Sequence, residues 1–182
     1  ASRLFEQPAR VPARLFPGAN VECEFAFRAN RDLPYGEMPF TASGIVDAID
    51  LHLAVELTGS RFTADTGGWQ PGSFDTIADN GNGAGFVFGP AIRNWQGIAF
   101  ETLAITPRID NGPAIKAYQG EYRRDPVAVM AETLNDLAAR GFVLSSGDYL
   151  STGSLTEPTP IRQGQTLMAD FASIGTMQVE LV

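Results

Sequence analysis

The most regular pattern in the chain is Val21-Glu22-Cys23-Glu24-Phe25-Ala26-Phe27. Its apolar residues alternate with others, and in an extended strand positions i and i+2 point the same way. Val21, Cys23, Phe25 and Phe27 therefore share one face, and Glu22 and Glu24 project from the other. Upstream, residues 1–19 carry Pro8, Pro12 and Pro17 among short apolar pairs, the pattern of an extended arm or edge strand. Downstream, a loop at Asp32-Leu33-Pro34 leads to Thr41 and Ser43, either placed to cap a helix reaching about Leu53. Ile45, Val46, Ile49 and Leu53 recur there at helical spacing. Residues 53–57 then turn strand-like, and 63–73 read as a polar, glycine-rich surface loop.

Farther along, Gly81, Gly83 and Gly85 precede a short apolar strand at Phe86-Val87-Phe88. Residues 98–118 read as strand–turn–strand about Asp110-Asn111-Gly112-Pro113. The clearest helix covers about 126–140: Asp125 is its N-cap, Pro126 its first residue, and Gly141 its stop. Val129, Leu134, Leu137 and Ala138 supply its apolar stripe. Short strands follow near 148–152, 166–171 and 177–181. The fold class is α+β, with strands dominating.

The 182 residues, 44% of them hydrophobic, suit one domain with a substantial core. Nineteen glycines and twelve prolines, scattered throughout, imply many short elements joined by turns. The formal charge of −8 repels phosphate backbones and anionic lipid, so nucleic acid and membrane are not expected partners. Lys116 is the sole lysine, and any amine chemistry of the chain rests on it. Cys23, the sole cysteine, excludes an internal disulfide and a thiolate metal cluster. With no membrane-length apolar run and no signal-peptide pattern, the expected compartment is the cytoplasm. The chain starts at Ala1 rather than Met, which gives the expectation of a processed or trimmed start.

Several residues are candidates for chemistry. Glu22 and Glu24 share a face, and paired carboxylates suit hard cations such as Mg²⁺, Mn²⁺ or Ca²⁺. On spacing alone, a solvent-facing strand edge is the better reading of the pair. Glu56 lies in the apolar run Leu53-Ala54-Val55-Glu56-Leu57, where a carboxylate needs a partner. Arg61 and a metal ion are equally good partners at this level. Asp75-Thr76-Ile77-Ala78-Asp79-Asn80-Gly81-Asn82-Gly83 reads as an Asx-type turn whose amides also suit an anion. Ser151-Thr152-Gly153-Ser154 offers hydroxyls and amides at a strand end. His52 is the sole histidine, four residues before Glu56 and so beside it if the segment is helical. A structural role suits it better, and no phosphate loop, dinucleotide fingerprint or nucleophile elbow is present.

In their order, these pieces resemble the hydratase/decarboxylase branch of the fumarylacetoacetase-like superfamily, typified by 2-oxo-4-pentenoate hydratases and 4-oxalocrotonate decarboxylases. The matching stretches are Val21–Phe27 with Arg31-Asp32-Leu33-Pro34, then Val55-Glu56-Leu57-Thr58-Gly59-Ser60-Arg61-Phe62 and Asp75-Thr76-Ile77-Ala78-Asp79-Asn80. Gly147-Asp148-Tyr149-Leu150-Ser151-Thr152-Gly153-Ser154 and a turn at Gly164 leading to Phe171-Ala172-Ser173-Ile174-Gly175 complete the set. The resemblance implies a strand-rich mixed β-roll or distorted barrel with flanking helices, assembled as a homo-oligomer. It implies an N-terminal arm at 1–20 and a catalytic domain at 21–182.

By the same resemblance, Glu22, Glu24 and Glu56 ligate Mg²⁺ or Mn²⁺, with Ca²⁺ as a substitute. Asp79 and Asn80 line the site as catalytic residues, and Thr152, Gly153 and Ser154 hold the substrate carboxylate. The implied activity is that of a metal-dependent lyase, a hydratase of a small 2-hydroxy-dienoate or 2-oxo acid in aromatic-compound catabolism, working through a metal-stabilised enolate. Decarboxylase, tautomerase and acylpyruvate-type hydrolase are the alternatives within the superfamily, and a catalytically silent ligand-binding or structural relative is the alternative outside catalysis. Three departures stand out. The branch carries a catalytic lysine in a glycine-bearing N-terminal stretch, with no counterpart in residues 1–20. Its Gly-His-Pro before the late helix is Arg124-Asp125-Pro126 here, and the histidine–glutamate pair of its C–C hydrolases has His52 alone to draw on.

Overall fold

Two sheets packed through one apolar core position everything else. The structure is a computed structural model and describes residues 3–62 and 72–182. Its strands are β1 (Leu4–Glu6), β2 (Ala9–Val11), β3 (Asn20–Ala29), β4 (Ile49–Thr58), β5 (Gly83–Ile92), β6 (Thr106–Ile109), β7 (Tyr149–Ser154), β8 (Thr159–Pro160), β9 (Thr166–Asp170) and β10 (Thr176–Leu181). Helices α1 (Ala42–Ile45), α2 (Ser73–Ala78) and α3 (Pro126–Ala139) flank them. The larger sheet runs β1-β5-β4-β3-β7, with β8 also on β3; the smaller runs β2-β10-β9-β6. Both sheets stay open, so the α+β architecture is a strand-rich roll rather than a closed barrel. Residues 4–11 form an edge strand of each sheet in turn, β1 parallel to β5 and β2 parallel to β10.

The alternation in β3 does what strand geometry requires. Val21, Cys23, Phe25 and Phe27 are buried and lie opposite Leu57, Val55, Leu53 and Leu51 of β4. This face packs on Leu167, Ala169, Met177 and Val179 of the smaller sheet, all fully buried. Phe25 is at the centre, its ring 5.0 Å from that of Phe100 and 5.9 Å from that of Phe171. Helix α3 begins as its sequence dictates, with the Asp125 carboxylate accepting from the Val127 N–H at 2.9 Å. It packs on β7 and α1 through Val127, Met130, Ala131, Leu134 and Ala138, with Val129 and Leu137 half-buried beside them. No described helix is long and apolar enough to cross a membrane.

Two local expectations need correction. The helix read from Thr41 toward Leu53 ends early: Thr41 does cap it, its Oγ1 accepting from the Gly44 N–H at 3.1 Å, but α1 stops at Ile45 and a 3₁₀ turn at Val46–Ala48 feeds β4. Ile49, Leu51, Leu53, Val55 and Leu57 also alternate, and a ten-residue strand paired on both sides outweighs one turn of helical spacing. Of the loop read at 63–73, residues 63–71 lie outside the described residues, and Ser73 opens α2. There the Asp75 carboxylate reaches back to the Gly72 N–H at 2.8 Å, the half of a capping box that an acid at the third helical position supplies.

Replacing Phe25 by Ala removes the ring that joins both sheets. The expected cost is about 3–5 kcal/mol, seen as a lower urea midpoint at unchanged slope. A midpoint within error of the parent protein contradicts this packing.

Candidate functional site

The antiparallel register of β3 on β4 sets Glu22 directly opposite Glu56, and Glu24 opposite Ala54. Paired residues share a face and i and i+2 agree, so the side chains of Glu22, Glu24 and Glu56 project together, away from the core. Glu24 is 2% exposed; the other two are half-buried. Like charges facing each other across a ladder repel, and burial sharpens the repulsion. Burial, then the charges of Glu56 and Glu22, push the Glu24 carboxyl up to about 9. Glu56 is raised as well, by burial first and Glu22 second. Protonated Glu24 is placed to donate to Glu56, yet its Oε2 stays buried without a hydrogen-bond partner.

Among the described residues, no three acidic, imidazole or thiol side chains stand in closed metal-ligating geometry. The backbone register nonetheless sets Glu22 opposite Glu56 and puts Glu24 on the same face of the sheet. A carboxylate oxygen that is buried and unpartnered fits a hard cation.

Arg61, the other partner considered for Glu56, is engaged elsewhere. Its guanidinium donates from Nη1 to Asp79 Oδ1 at 2.9 Å and to the Asp79 carbonyl at 2.7 Å, and from Nη2 to the Gly83 carbonyl at 2.9 Å. The Arg61 N–H and the Ser60 hydroxyl donate to Asp79 Oδ2 at 2.9 and 3.0 Å. The Arg61 N–H and guanidinium hold Asp79 below the usual carboxylate range. With both oxygens taken, buried Asp79 is a clamp between the end of β4 and the start of β5. Asn80 follows in the left-handed region (φ +57°), its Nδ2 donating to the Gly83 carbonyl at 3.1 Å.

Gly83 is small for a reason. A Cβ there would lie 3.1 Å from Glu56 Oε1 and 3.2 Å from Asn80 Nδ2. Glu56, Asn80, Gly83 and Phe86 line a cleft of about 370 Å³ together with Leu4 and Arg3.

The predicted carboxylate-binding segment lies on the far flank. Ser154 of β7 is the register partner of Glu24, with a bulge in the ladder between Glu24 and Ala26. Ser154 Oγ donates to the Thr156 carbonyl at 2.8 Å and Thr152 Oγ1 to the Phe25 carbonyl at 3.0 Å, so both hydroxyls secure the bulge. Gly153 (φ +97°) has open space where a side chain would be. The structure thus gathers Glu22, Glu24, Glu56 and Ser154 on one face and places Asn80 at the cleft wall; Asp79 is turned to Arg61, and Thr152 to β3. Sequence reasoning missed the Arg61–Asp79 clamp and the close approach at Gly83. It also missed Thr156, whose Oγ1 accepts from the Cys23 N–H at 3.0 Å. The Ser60-Arg61 pair just after β4 was the available signal for the clamp.

His52 is on the same face of β4 as Glu56 but two strand repeats away, so strand geometry separates the pair that a helix would have joined. Its Nδ1 is 2.8 Å from the Gly89 carbonyl. It lines a second, larger cavity of about 560 Å³ with Phe88, Gly89 and Gln178.

No family model matches the chain. It is 27% identical to 2-oxo-hept-4-ene-1,7-dioate hydratase of Escherichia coli over 196 residues, covering 98% of the chain and 67% of that protein. It is 25% identical to 2-keto-4-pentenoate hydratase of Paraburkholderia phymatum over 179 residues, covering 98% and 66%. Among solved structures, 4-oxalocrotonate decarboxylase from Pseudomonas putida G7, complexed with magnesium and adipate, superposes with a TM-score of 0.80 at 19% identity, over 98% of this chain and 66% of that one. The chain is similar in sequence to hydratases of the fumarylacetoacetase-like superfamily and shares the fold of its solved structures. It spans about two thirds of the length of these superfamily relatives. The superfamily fold accounts for the open roll, and the paired β3 and β4 that carry the glutamates are the centre of its larger sheet.

Burial lowers the pKa of His52 below its ordinary 6.5, against the hydrogen bond to the Gly89 carbonyl and the charge of Asp50, and with that of Arg28. A depressed value means that the neutral imidazole stabilises the fold above the unfolded pKa and that this contribution is lost as pH falls through the folded one. Below about pH 6.5, the parent protein is therefore expected to lose stability faster with falling pH than His52→Phe, followed by thermal unfolding. Parallel curves contradict a buried neutral imidazole.

Proposed function

We propose that the chain is a divalent-metal-dependent carbon–oxygen lyase, a hydratase acting on a small 2-hydroxy-dienoate or 2-oxo acid in aromatic-compound catabolism. Glu22, Glu24 and Glu56 hold the cation, Mg²⁺ or Mn²⁺, with Ca²⁺ able to substitute. The observation that carries this is Glu24: a buried carboxylate with an unpartnered oxygen, flanked by two further carboxylates and no arginine or lysine partner among the described residues. Such a cluster costs several kcal/mol unless a cation compensates it, and an all-oxygen ligand set suits hard divalent ions. A divalent cation held by these three side chains would supply Lewis-acid polarisation to a bound 2-oxo acid.

Where the side chains sit supports the remaining proposed roles. Ser154, level with Glu24, and the open backbone at Gly153 receive the substrate carboxylate, while Thr152 keeps the bulge in shape through the Phe25 carbonyl. Asn80 presents its amide at the cleft wall beside Glu56. Asp79 acts through Arg61 as a positioning residue, holding the turn that sets Asn80 and Gly83. By resemblance, the protein assembles as a homo-oligomer.

A second reading, a catalytically silent binder of 2-oxo acids, draws support from the basic groups. Lys116 pairs with Glu157 at 2.6 Å on the surface, and His52 is held by Gly89, so neither stands at the glutamates to move a proton.

Thermal unfolding with and without Mg²⁺ tests the metal. At saturation near 100 times Kd, binding adds about 2.7 kcal/mol, which for a domain of this size raises Tm by roughly 5–10 °C. Glu24→Gln and Glu56→Gln are expected to lose this rise, and Glu24→Gln to be more stable than the parent protein without metal. An unresponsive parent protein, or variants that respond equally, defeats the proposal. Loss of dienoate absorbance then sorts the chemistry: a hydrated product marks a hydratase and released CO₂ a decarboxylase. Intact metal binding with neither marks the silent binder.

A further inference from the structure

The cleft that Glu56 borders leads to two arginines. Glu56, Phe86 and Leu4 are register partners on β4, β5 and β1, so Leu4 lies two strand spacings, ~9.6 Å, from Glu56. Arg3 precedes Leu4. Its Nη1 donates to the Leu15 carbonyl at 3.1 Å and reaches the Ala84 carbonyl at 3.5 Å, and its guanidinium carbon is 5.3 Å from the centre of the Phe16 ring. Arg3 and Ala84 line both the cleft of about 370 Å³ and a neighbouring hollow of about 330 Å³, whose wall also carries Arg14.

The cleft between Glu56 and Arg3 is walled by bare backbone and apolar side chains. Gly83, Ala84 and Gly85 carry nothing larger than a methyl group, and a Cβ on Gly85 would come within 2.6 Å of the Phe16 ring. Phe86 and Leu4, the latter 48% exposed, offer apolar surface to whatever enters. On the other side of the glutamates the sheet is closed: Ala54 is fully buried, and the Phe88 and Tyr149 rings lie 4.4 Å apart. Among the described residues, neither Arg3 nor Arg14 has a carboxylate partner. Both are exposed, so a ligand can reach them. A guanidinium presents a planar fork of donors that matches a carboxylate. Two such groups on one hollow, in a chain of net charge −8, make a local reversal of sign that draws an anion.

We infer that Arg3, with Arg14 as a second cation on the same hollow, receives a terminal carboxylate of the substrate, which is therefore a 2-oxo dioic acid and not a monocarboxylic one. The inference rests on the 2-oxo acid reading above and narrows it. An acid held by its 2-oxo end at the glutamates runs its carbon chain along Phe86 and Leu4 and ends at the guanidinium of Arg3. A second carboxylate gains a charge-assisted hydrogen bond there. A methyl group in its place gains none and takes hydration from the arginine, so the two ends are told apart.

Calorimetric titration of the Mg²⁺-loaded chain with 2-oxoadipate and 2-oxohexanoate, which differ only at the far end, tests this. The dioic acid is expected to bind about tenfold more tightly, the lower end of what a hydrogen bond to a charged group supplies, because the site is exposed. Added salt shrinks that preference. Arg3→Gln brings the two acids within about twofold of each other and leaves 2-oxohexanoate unchanged. Arg3→Lys keeps part of the preference, since the charge stays and the fork is lost. Arg14→Gln, which removes no hydrogen bond among the described residues, lowers the preference without abolishing it. Equal binding of the two acids by the parent protein overturns the inference, as does a preference that survives Arg3→Gln and Arg14→Gln together. Arg3→Gln weakening both acids alike overturns it too, by giving the arginine a merely structural part. If neither acid shows Mg²⁺-dependent binding, the 2-oxo acid reading fails and takes the inference with it; if 2-oxohexanoate binds with Mg²⁺, any failure belongs to the arginines alone.

Discussion

Glu22 faces Glu56 across an antiparallel ladder, with Glu24 buried beside them, and that enforced closeness of like charges is what the rest of the molecule accommodates. The register cannot slip to relieve it. A shift by one residue would turn Val21, Cys23, Phe25 and Phe27 out of the core and bring the glutamates in. The hydrophobic face thus enforces the electrostatic conflict on the opposite face, and a site of this kind costs stability that the core supplies.

The surroundings hold the conflict in place. Arg61, the cation near enough in sequence to neutralise Glu56, is drawn off by Asp79 and by the Gly83 carbonyl. That clamp closes the turn between β4 and β5 and leaves Glu56 with Asn80 and the bare backbone of Gly83. On the other flank, the bulge between β3 and β7 is secured by Thr152, Ser154 and Thr156, which frees Gly153 of crowding. Both flanks use polar side chains to fix backbone, and the face between them is left to the three carboxylates.

How far this was legible in the sequence depended on whether a signal was local. The alternation at 21–27 and the cap, proline and glycine around α3 are local, and the structure follows them. Residues 45–53 fit helical and strand periods at once, and long-range pairing decided for the strand, which a window of ten residues does not contain. The convergence of Glu22, Glu24 and Glu56 is also long-range; spacing alone favoured an exposed edge, and the family resemblance drew them together. Asp79 shows the limit of that route. Its motif is legible, but the partner of its carboxylate, Arg61, comes from the far side of the connection and shows only in the geometry.

The most direct test of the central claim is the anomalous scattering of Mn²⁺ in crystals of the protein soaked at low millimolar concentration. One strong peak is expected, bounded by carboxylate oxygens of Glu22, Glu24 and Glu56 at about 2.0–2.2 Å, with Glu24 ionised against it. A peak elsewhere, or the three side chains unmoved around an ordered water, contradicts the account.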